Sequence, residues 1–194
     1  MEKENNHQHQ LENKIDLNSA NREQIIEEIM SLYSQDVYLL AFSFVKDKGL
    51  AEDISQEVFI KCYKHVGNFR GDASIKSWIY RITVNTAKDF IKKKSFRVLK
   101  FPKWFFENLK KSESPEEVFL QYDQNEQLLQ NVFALPIKYR EVIVLYYFQE
   151  LRVHEIAETL NINMSTVKTR LSRGRSILKE NLVEKGDAFS WIKN

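Results

Sequence analysis

Four polar residues near the C-terminus have side chains that can hydrogen-bond to the edges of DNA bases: Lys168, Thr169, Ser172 and Arg173. At 100° per residue they centre on one face of a helix. The opposite face is apolar or small and contains Val167, Leu171, Gly174 and Leu178. Arg170 and Arg175 lie on the two sides of the polar face, where long cationic side chains would reach phosphates. The pattern predicts a helix that can enter a major groove.

The segment before this helix has the spacing of a helix-turn-helix. A short helix is expected over residues 152–160, with Ile156, Ala157 and Leu160 on its buried face. Asn161 follows, and asparagine tolerates the left-handed backbone conformation that such a turn needs. The second helix is expected from Ser165 to about residue 182. Small Ala157 allows the two helices to cross closely.

A second set of basic residues lies in the first half of the chain. Arg81, Asn85, Lys88 and Lys92 are spaced i, i+4, i+7 and i+11, which forms one helical stripe. Cations on such a stripe can follow a phosphate backbone while the amide reads a base edge. The preceding loop, residues 67–74, contains two glycines, an aromatic ring and polar groups, a composition that suits an extruded, unpaired base.

A third surface is acidic. Asp53, Gln56, Glu57 and Ile60 fall at i, i+3, i+4 and i+7 of one helix, whereas Leu50, Ala51, Ile54 and Val58 are expected to face the core. Such a stripe suits a protein partner that presents a basic helix.

No catalytic or metal-binding constellation is found in the sequence. It has no Gly-rich phosphate loop, no paired His and Cys ligands and no nucleophile elbow. The single cysteine, Cys62, excludes an internal disulfide and is expected to be a core thiol. No membrane span or signal peptide is recognised, so we expect a cytoplasmic protein that is not an enzyme, needs no cofactor and does not insert into a membrane.

Composition and charge distribution predict an all-α fold of two small helical domains joined by a linker. The chain has 194 residues, with only 5 Gly and 3 Pro. The net charge is only +2, but charge is sorted into blocks: residues 81–111 contain 10 basic and 2 acidic side chains, and residues 168–179 contain 5 basic and none acidic.

The predicted organisation is as follows. Residues 1–18 form a disordered tail, 19–94 a first helical domain, 95–113 a basic and aromatic linker, 114–184 a second helical domain that ends in the helix-turn-helix, and 185–194 a C-terminal tail. In the first domain, one or two helices are expected from about residue 19 to 46, and further helices from about 50 to 66 and from about 75 to 94. Ser114-Pro115-Glu116-Glu117 has the signature of a capped helix start, and Leu135-Pro136 is expected to end that helix.

Three segments, in this order, resemble the extracytoplasmic-function (group 4) sigma factors of bacterial RNA polymerase. Residues 51–59 (AEDISQEVF) are similar to the family's core-binding segment. Phe69-Arg70-Gly71, Ser74, Trp78, Arg81-Ile82 and Asn85 are similar to its promoter-melting and minus 10 segment. Glu155-Ile156-Ala157-Glu158 and residues 165–175 (STVKTRLSRGR) are similar to its minus 35 helix-turn-helix.

The resemblance implies roles for each group of residues. The core-binding residues, which would meet the β′ clamp helices, are Asp53, Gln56, Glu57 and Ile60. The minus 10 residues are Phe69, Arg70, Gly71, Ser74, Arg81, Asn85, Lys88 and Lys92. The minus 35 residues are Ser165, Thr166, Lys168, Thr169, Arg170, Ser172, Arg173 and Arg175. The implied partners are RNA polymerase core, including its β subunit, promoter DNA and an anti-sigma factor, which in this family is often membrane-anchored.

Two other classes of protein are compatible with parts of the pattern. A stand-alone helix-turn-helix regulator would bind duplex DNA as a dimer without polymerase, and its acidic stripe would be inert. An enzyme that uses exposed carboxylates is a further class. Substituting Asp53, Gln56 and Glu57 separates the first two, because only a sigma factor would lose transcription while keeping DNA binding.

Overall fold

The computed structural model describes residues 21–69, 71, 73–92 and 126–183. In this part of the chain every regular element is helical, which confirms the all-α fold class. The predicted tails, the linker, the helix start at Ser114 and the side chain of Arg70 lie outside the described residues.

The first half of the structure is a packed unit of three helices, α1 (Arg22–Val45), α2 (Lys48–His65) and α3 (Ile75–Lys92). Asn21 starts α1 with a capping box: its side-chain oxygen accepts from the backbone N–H of Glu23 and Gln24, and Gln24 accepts from the backbone of Asn21. Lys46 ends α1 in the left-handed conformation, with φ of 56°. One 3-10 turn, Val66–Asn68, follows α2.

Leu50 is an exception to the predicted core face of α2, because it is 40% exposed. The helix begins two residues earlier than expected, at Lys48, and Asp47 caps it by accepting from the N–H of Leu50 at 2.8 Å. Leu50 therefore lies in the open first turn. Ala51, Ile54 and Val58 are fully buried, as predicted.

Within residues 126–183, the second half contains four α-helices: α4 (Glu126–Ala134), α5 (Ile137–Ile143), α6 (Val153–Leu160) and α7 (Met164–Val183). The predicted break at Leu135-Pro136 separates α4 from α5. The α-helical conformation of α5 changes after Ile143 to a π-helical segment, Val144–Phe148. Arg140 is buried and donates to the backbone carbonyl of Phe133, in the last turn of α4, at 2.7 Å.

The two halves share one hydrophobic core. Helix α1 packs against α5 and the π-helical segment, and α3 packs against α6. The rings of Phe42 and Phe133 meet edge to face with centroids 5.4 Å apart. The two units therefore contact each other at two places. The contact at α1 is apolar, and the contact at α3 is largely polar.

Candidate nucleic-acid interface

The turn between α6 and α7 has the geometry that the sequence predicted. Asn161 adopts the left-handed conformation with φ of 53°, and the next residue's N–H donates to the carbonyl of Ala157 at 3.0 Å. Ile156, Ala157 and Leu160 are buried. The turn thus fixes the direction in which α7 leaves α6.

Helix α7 begins one residue before the predicted start, and Asn163 caps it. The side-chain oxygen of Asn163 accepts from the backbone N–H of Thr166 at 2.8 Å and from the hydroxyls of Ser165 and Thr166 at 2.7 and 2.6 Å. Both hydroxyls are thereby oriented at the helix N-terminus. The capping role of Asn163 was not predicted from the sequence, although an Asn three residues before Thr166 is a recognisable cap signal.

Beyond its first turn, α7 has one buried and one exposed face, as predicted. The buried face consists of Val167, Leu171, Gly174 and Leu178, and the exposed face of Lys168, Thr169, Ser172 and Arg173. Packing locks the first set, so the second set is presented to solvent in a fixed orientation. Arg175 is half-buried at the side.

A hollow of about 320 Å³ lies beside this exposed face, between α7 and the start of α5. Its lining joins five α7 residues to two from α5: Lys138, Tyr139, Ser165, Thr166, Thr169, Arg170 and Arg173. Arg173 and Tyr139 face each other in this hollow, and interaction with the Arg173 guanidinium lowers the pKa of the Tyr139 hydroxyl. Lys138 and Tyr139 were not predicted from the sequence. They belong to α5, and only tertiary packing brings them beside the exposed face of α7.

The basic stripe of α3 is only partly open. Asn85 and Lys92 are exposed, as a nucleic-acid contact requires. Arg81 and Lys88 instead turn toward the second unit: Arg81 Nη2 lies 3.8 Å from Glu158 Oε2, and Lys88 Nζ lies 2.9 Å from Glu141 Oε2. In this conformation the two cations face carboxylates of the same chain.

Arg170 has the same partner as Lys88. Its Nη1 lies 2.7 Å from Glu141 Oε1, and only 25% of its side chain is exposed. The buried carboxylate of Glu141 holds the Arg170 guanidinium inward in this conformation, so the predicted phosphate contact of Arg170 requires this ion pair to break.

The loop before α3 combines packing with local capping. Phe69 is half-buried against Trp78, with ring centroids 5.4 Å apart, so its ring is not a free stacking platform in this conformation. Gly71 is exposed and has φ of 75°, a conformation that side-chain-bearing residues rarely adopt. Ser74 accepts from the backbone N–H of Ser77 at 3.1 Å and so caps α3.

The acidic stripe of α2 is shorter than predicted. Asp53, Gln56 and Glu57 are partly exposed, and Glu57 lies 3.9 Å from Lys61. Ile60 is only 4% exposed and belongs to the core. Its proposed part in a contact surface is a mistaken assignment, since it packs inward with its helix neighbours Phe59 and Val58.

In the described residues, the thiol and the potential metal ligands form no reactive site. Cys62 is fully buried, which confirms a core thiol, and burial raises its pKa to about 12. Within residues 21–92 and 126–183, as far as they are described, no group of three His, Cys, Asp or Glu residues could hold a metal ion. None of the helices in this part of the chain is long and apolar enough to span a bilayer.

Two family models match the chain, in the same order as the two structural units. Sigma-70 region 2 matches residues 29–97, and Sigma-70 region 4 matches residues 126–178. The first covers α1 from residue 29 onward together with all of α2 and α3, and the second covers α4 to most of α7.

Curated relatives agree over most of the chain. ECF RNA polymerase sigma factor SigW of Bacillus subtilis is 33% identical over 169 residues, which covers 80% of this chain and 87% of SigW. RNA polymerase sigma factor SigV of the same organism is 38% identical over 153 residues, which covers 78% of this chain and 87% of SigV.

Solved structures share the fold. The Bartonella quintana sigma factor RpoE, solved with the anti-sigma factor NepR, has a TM-score of 0.61 and 18% identity, over 80% of this chain and 95% of RpoE. CnrH, solved with the cytosolic domain of CnrY, has a TM-score of 0.61 and 20% identity, over 92% of this chain and 97% of CnrH. Taken with the two region matches and the identity to SigW and SigV, these findings show that the chain belongs to the ECF RNA polymerase sigma factors.

Proposed function

We propose that this chain binds the core of bacterial RNA polymerase and directs transcription initiation at promoters that carry specific minus 35 and minus 10 elements. The observation that carries the proposal is the two-faced helix α7. Its buried side fixes it in the second unit, while Lys168, Thr169 and Arg173 remain exposed on the other side. A fixed, exposed polar face on a helix-turn-helix is the arrangement that reads base edges in a major groove.

The minus 35 element is read by α7 and by the start of α5. Lys168, Thr169, Ser172 and Arg173 meet base edges, whereas Ser165, Thr166, Arg170 and Arg175 contact phosphates. Lys138 adds an exposed cation at the rim of the hollow. With about five phosphate contacts, affinity would fall by roughly 10² to 10³ between 50 and 200 mM salt.

The minus 10 element is read by α3 and the loop before it. Asn85 is exposed in the middle of the stripe and is the residue that we assign to an unpaired base. Arg81, Lys88 and Lys92 follow the backbone of the melted strand, and the loop of Phe69, Arg70, Gly71 and Ser74 surrounds the flipped base. For Arg81 and Lys88 this role requires release from their carboxylate partners.

The core-binding surface is the acidic stripe of Asp53, Gln56 and Glu57 on α2. Their side chains are accessible beside a buried helix face, which gives a rigid polar surface for the basic clamp helices of the β′ subunit. The unit that follows the linker would contact the β subunit. We propose that the first domain spans residues 19–94, the linker residues 95–113 and the second domain residues 114–184.

Each of the two units alone binds DNA weakly. The pair becomes specific for a promoter when polymerase holds both units. Tethering makes the second contact intramolecular, so the two affinities combine through effective concentration. The chain supplies recognition and not catalysis, so it needs neither a cofactor nor an active site of its own. It would act in the cytoplasm, where polymerase and promoters are.

An anti-sigma factor is the proposed regulator. RpoE was solved in complex with the anti-sigma factor NepR, and CnrH was solved in complex with the cytosolic domain of CnrY; both share this fold. We infer that a regulator of that class holds this chain away from polymerase until a stress signal arrives, and that it can be membrane-anchored.

The test is run-off transcription from a fragmented genomic library with bacterial core polymerase, with and without the chain. Discrete transcripts that depend on the chain are expected. The triple substitution of Asp53, Gln56 and Glu57 by Ala should abolish them, whereas the control Glu27→Ala with Glu28→Ala, at exposed positions of α1, should not. Sequence-specific binding to duplex DNA without polymerase, unaffected by the triple substitution, together with no transcripts, would instead establish a stand-alone regulator.

A further inference from the structure

Three side chains of α7 bring hydroxyl groups to the hollow between α5 and α7: Ser165, Thr166 and Thr169. Ser165 and Thr169 are exposed, and Thr166 is half-buried. The cations that share the hollow, such as Lys138 and Arg173, can only donate hydrogen bonds, whereas a hydroxyl can donate its one proton or accept. What this part of α7 can recognise therefore depends on the directions of its three O–H bonds.

The side-chain amide of Asn163 fixes the direction of two of these bonds. Its Oδ1 accepts from the backbone N–H of Thr166 at 2.8 Å, which identifies the atom as the oxygen of the amide and not its nitrogen. An amide oxygen carries no proton, so the hydroxyls of Ser165 and Thr166, at 2.7 and 2.6 Å from it, must be the donors. Their oxygens are left with lone pairs only.

The proton of Thr169 is also engaged within the helix. Its hydroxyl donates to the backbone carbonyl of Ser165 at 2.9 Å, a bond that threonine commonly makes to the preceding turn. Ser165 and Thr169 are four residues apart and so lie one above the other on the same face of α7. The N-terminal half of this helix thus presents three acceptor oxygens beside the donor groups of Lys138 and Lys168.

Acceptor oxygens fit one kind of group in a major groove. Phosphate oxygens only accept, so a hydrogen bond from Ser165 or Thr166 to a phosphate would first require its bond to Asn163 to break. The donors that bases present in the major groove are the amino groups at N6 of adenine and N4 of cytosine. Such an amino group can bind without disturbing any bond of the helix start, and a hydroxyl that already donates is a stronger acceptor.

We propose that Asn163 is a positioning residue that turns the hydroxyls of Ser165 and Thr166 into acceptors, and that these hydroxyls, together with that of Thr169, select exocyclic amino groups of adenine or cytosine in the minus 35 element. The inference rests on the proposed function, which places α7 in the major groove. It moves Ser165 and Thr166 from phosphates to base edges and leaves Thr169 at base edges. Asn163 acts through the hydroxyls that it holds.

The first test is competition binding of polymerase holoenzyme to a promoter recovered from the run-off library, with single base analogues in the minus 35 element. 2-Aminopurine in place of adenine, or 2-pyrimidinone in place of cytosine, removes the amino group from the major groove. At one or more positions this removal should weaken binding of the wild-type holoenzyme roughly 3- to 10-fold, the loss expected for one hydrogen bond. Equal affinity for every amino-deficient promoter would overturn the proposal.

Hydroxyl-deleting variants assign the amino-group preference to its residues. Thr166→Val and Ser165→Ala remove a hydroxyl with little change of shape, and the double variant should lose most of the sensitivity to amino-group removal. Its sensitivity to 7-deazapurines, which lack the N7 acceptor, should stay as in wild type. Ser31→Ala, at an exposed serine of α1, is the matched control and should behave as wild type. An equal loss of affinity for all promoters and analogues would make both hydroxyls phosphate contacts and overturn the proposal.

Two variants of Asn163 separate positioning from simple helix capping. Asn163→Ala releases both hydroxyl protons, so the holoenzyme should lose the amino-group preference. Asn163→Asp keeps an acceptor oxygen at the cap and should keep the preference, although its added negative charge lowers affinity for all DNA. Thermal unfolding of each full chain reports the loss of the cap. If Asn163→Ala lowers stability and overall affinity but keeps the wild-type preference, Asn163 is only a cap and the positioning role is rejected.

The second test needs neither DNA nor polymerase. Neutron diffraction from crystals of the deuterium-exchanged full chain shows the hydroxyl directions, and the deuterons of Ser165 and Thr166 should point to Asn163 Oδ1. Deuterons that point to solvent would overturn the inference while leaving the proposed function intact, since promoter-dependent transcripts do not depend on them. A holoenzyme that selects no promoter would instead reject the proposed function, and the base-reading part of this inference with it.

Discussion

Gly174 of α7 lies directly against Ile143 of α5. A β-carbon at Gly174 would stand 3.0 Å from Cγ1 and 3.3 Å from Cδ1 of Ile143, and 3.6 Å from the β-carbon of Tyr139. Ile143 is fully buried, so it has little room to move. The missing side chain therefore sets how closely the recognition helix approaches the helix that supplies Lys138 and Tyr139.

Gly174→Ala should destabilise the protein even though alanine is the better helix former. Overpacking a dense core costs about 1–3 kcal/mol, and the helix propensity gained is about 0.5–1 kcal/mol, so a net loss of roughly 1 kcal/mol is expected. The measurement is urea unfolding followed by circular dichroism. Gly67→Ala is the control, because its nearest neighbour is the flexible end of Arg22, and it should stay within about 0.5 kcal/mol of wild type. A more stable Gly174→Ala protein would contradict the tight contact.

Asn85→Ala should weaken promoter opening while core polymerase binding stays the same. Asn85 is exposed on the α3 stripe, so its substitution is expected to remove the proposed base contact and to leave the fold intact. Permanganate reactivity of promoter thymines measures opening, and co-elution with polymerase measures binding. Glu28→Ala should behave as wild type in both assays. Unchanged thymine reactivity in Asn85→Ala would reject the assignment.

Arg173→Ala should cost about 1–3 kcal/mol at one position of the upstream element, as expected for a base contact. Tyr139 lines the same hollow as Arg173, with its hydroxyl beside the guanidinium, so Tyr139→Phe should weaken the same preference by a smaller amount. Competition binding of polymerase holoenzyme to promoters with single base changes measures both. A uniform loss over all sequences would make Arg173 a phosphate contact.

The pH dependence of stability should change when Asp36 is replaced by Asn. Asp36 accepts a hydrogen bond from the hydroxyl of Tyr80 at 2.8 Å, and burial raises its pKa above 3.8, with Lys76 and Glu150 exerting smaller, opposing effects. Between 3.8 and the raised folded-state pKa, the folded protein binds more protons than the unfolded chain. The contribution of Asp36 to stability therefore falls as the pH rises through that window.

The free energy of unfolding in urea, measured at intervals from pH 3.5 to neutral, tests this sign. Relative to Asp36→Asn, the wild-type protein should lose stability as pH increases above about 3.8. Because all other carboxylates are common to both proteins, the difference isolates Asp36. A difference that grows in favour of wild type with rising pH would show that Asp36 is stabilised as a carboxylate.

Much of the local structure and of the recognition helix could be predicted from the sequence. Helix starts and ends depend on nearby residues, such as the proline after Leu135 and the left-handed Asn161, and these acted as expected. The two faces of α7 follow from a 3.6-residue period alone, and the structure buries Val167 and exposes Lys168 accordingly. The predictions were wrong for two residues of α2. Leu50, expected in the core, is exposed in the open first turn, and Ile60, expected on the acidic stripe, is buried.

By itself, the sequence determined the helices, their polar and apolar faces and the family to which the chain belongs, because periodicity, capping and short motifs are encoded by neighbouring residues. Only the tertiary structure decided which faces meet. The contacts of Glu141 with Lys88 and Arg170, and of Arg173 with Tyr139, join helices that no local pattern relates. The contact of Glu141 with Lys88 depends on how the two units pack against each other. The contacts of Glu141 with Arg170 and of Arg173 with Tyr139 depend on how α5 and α7 pack within the second unit.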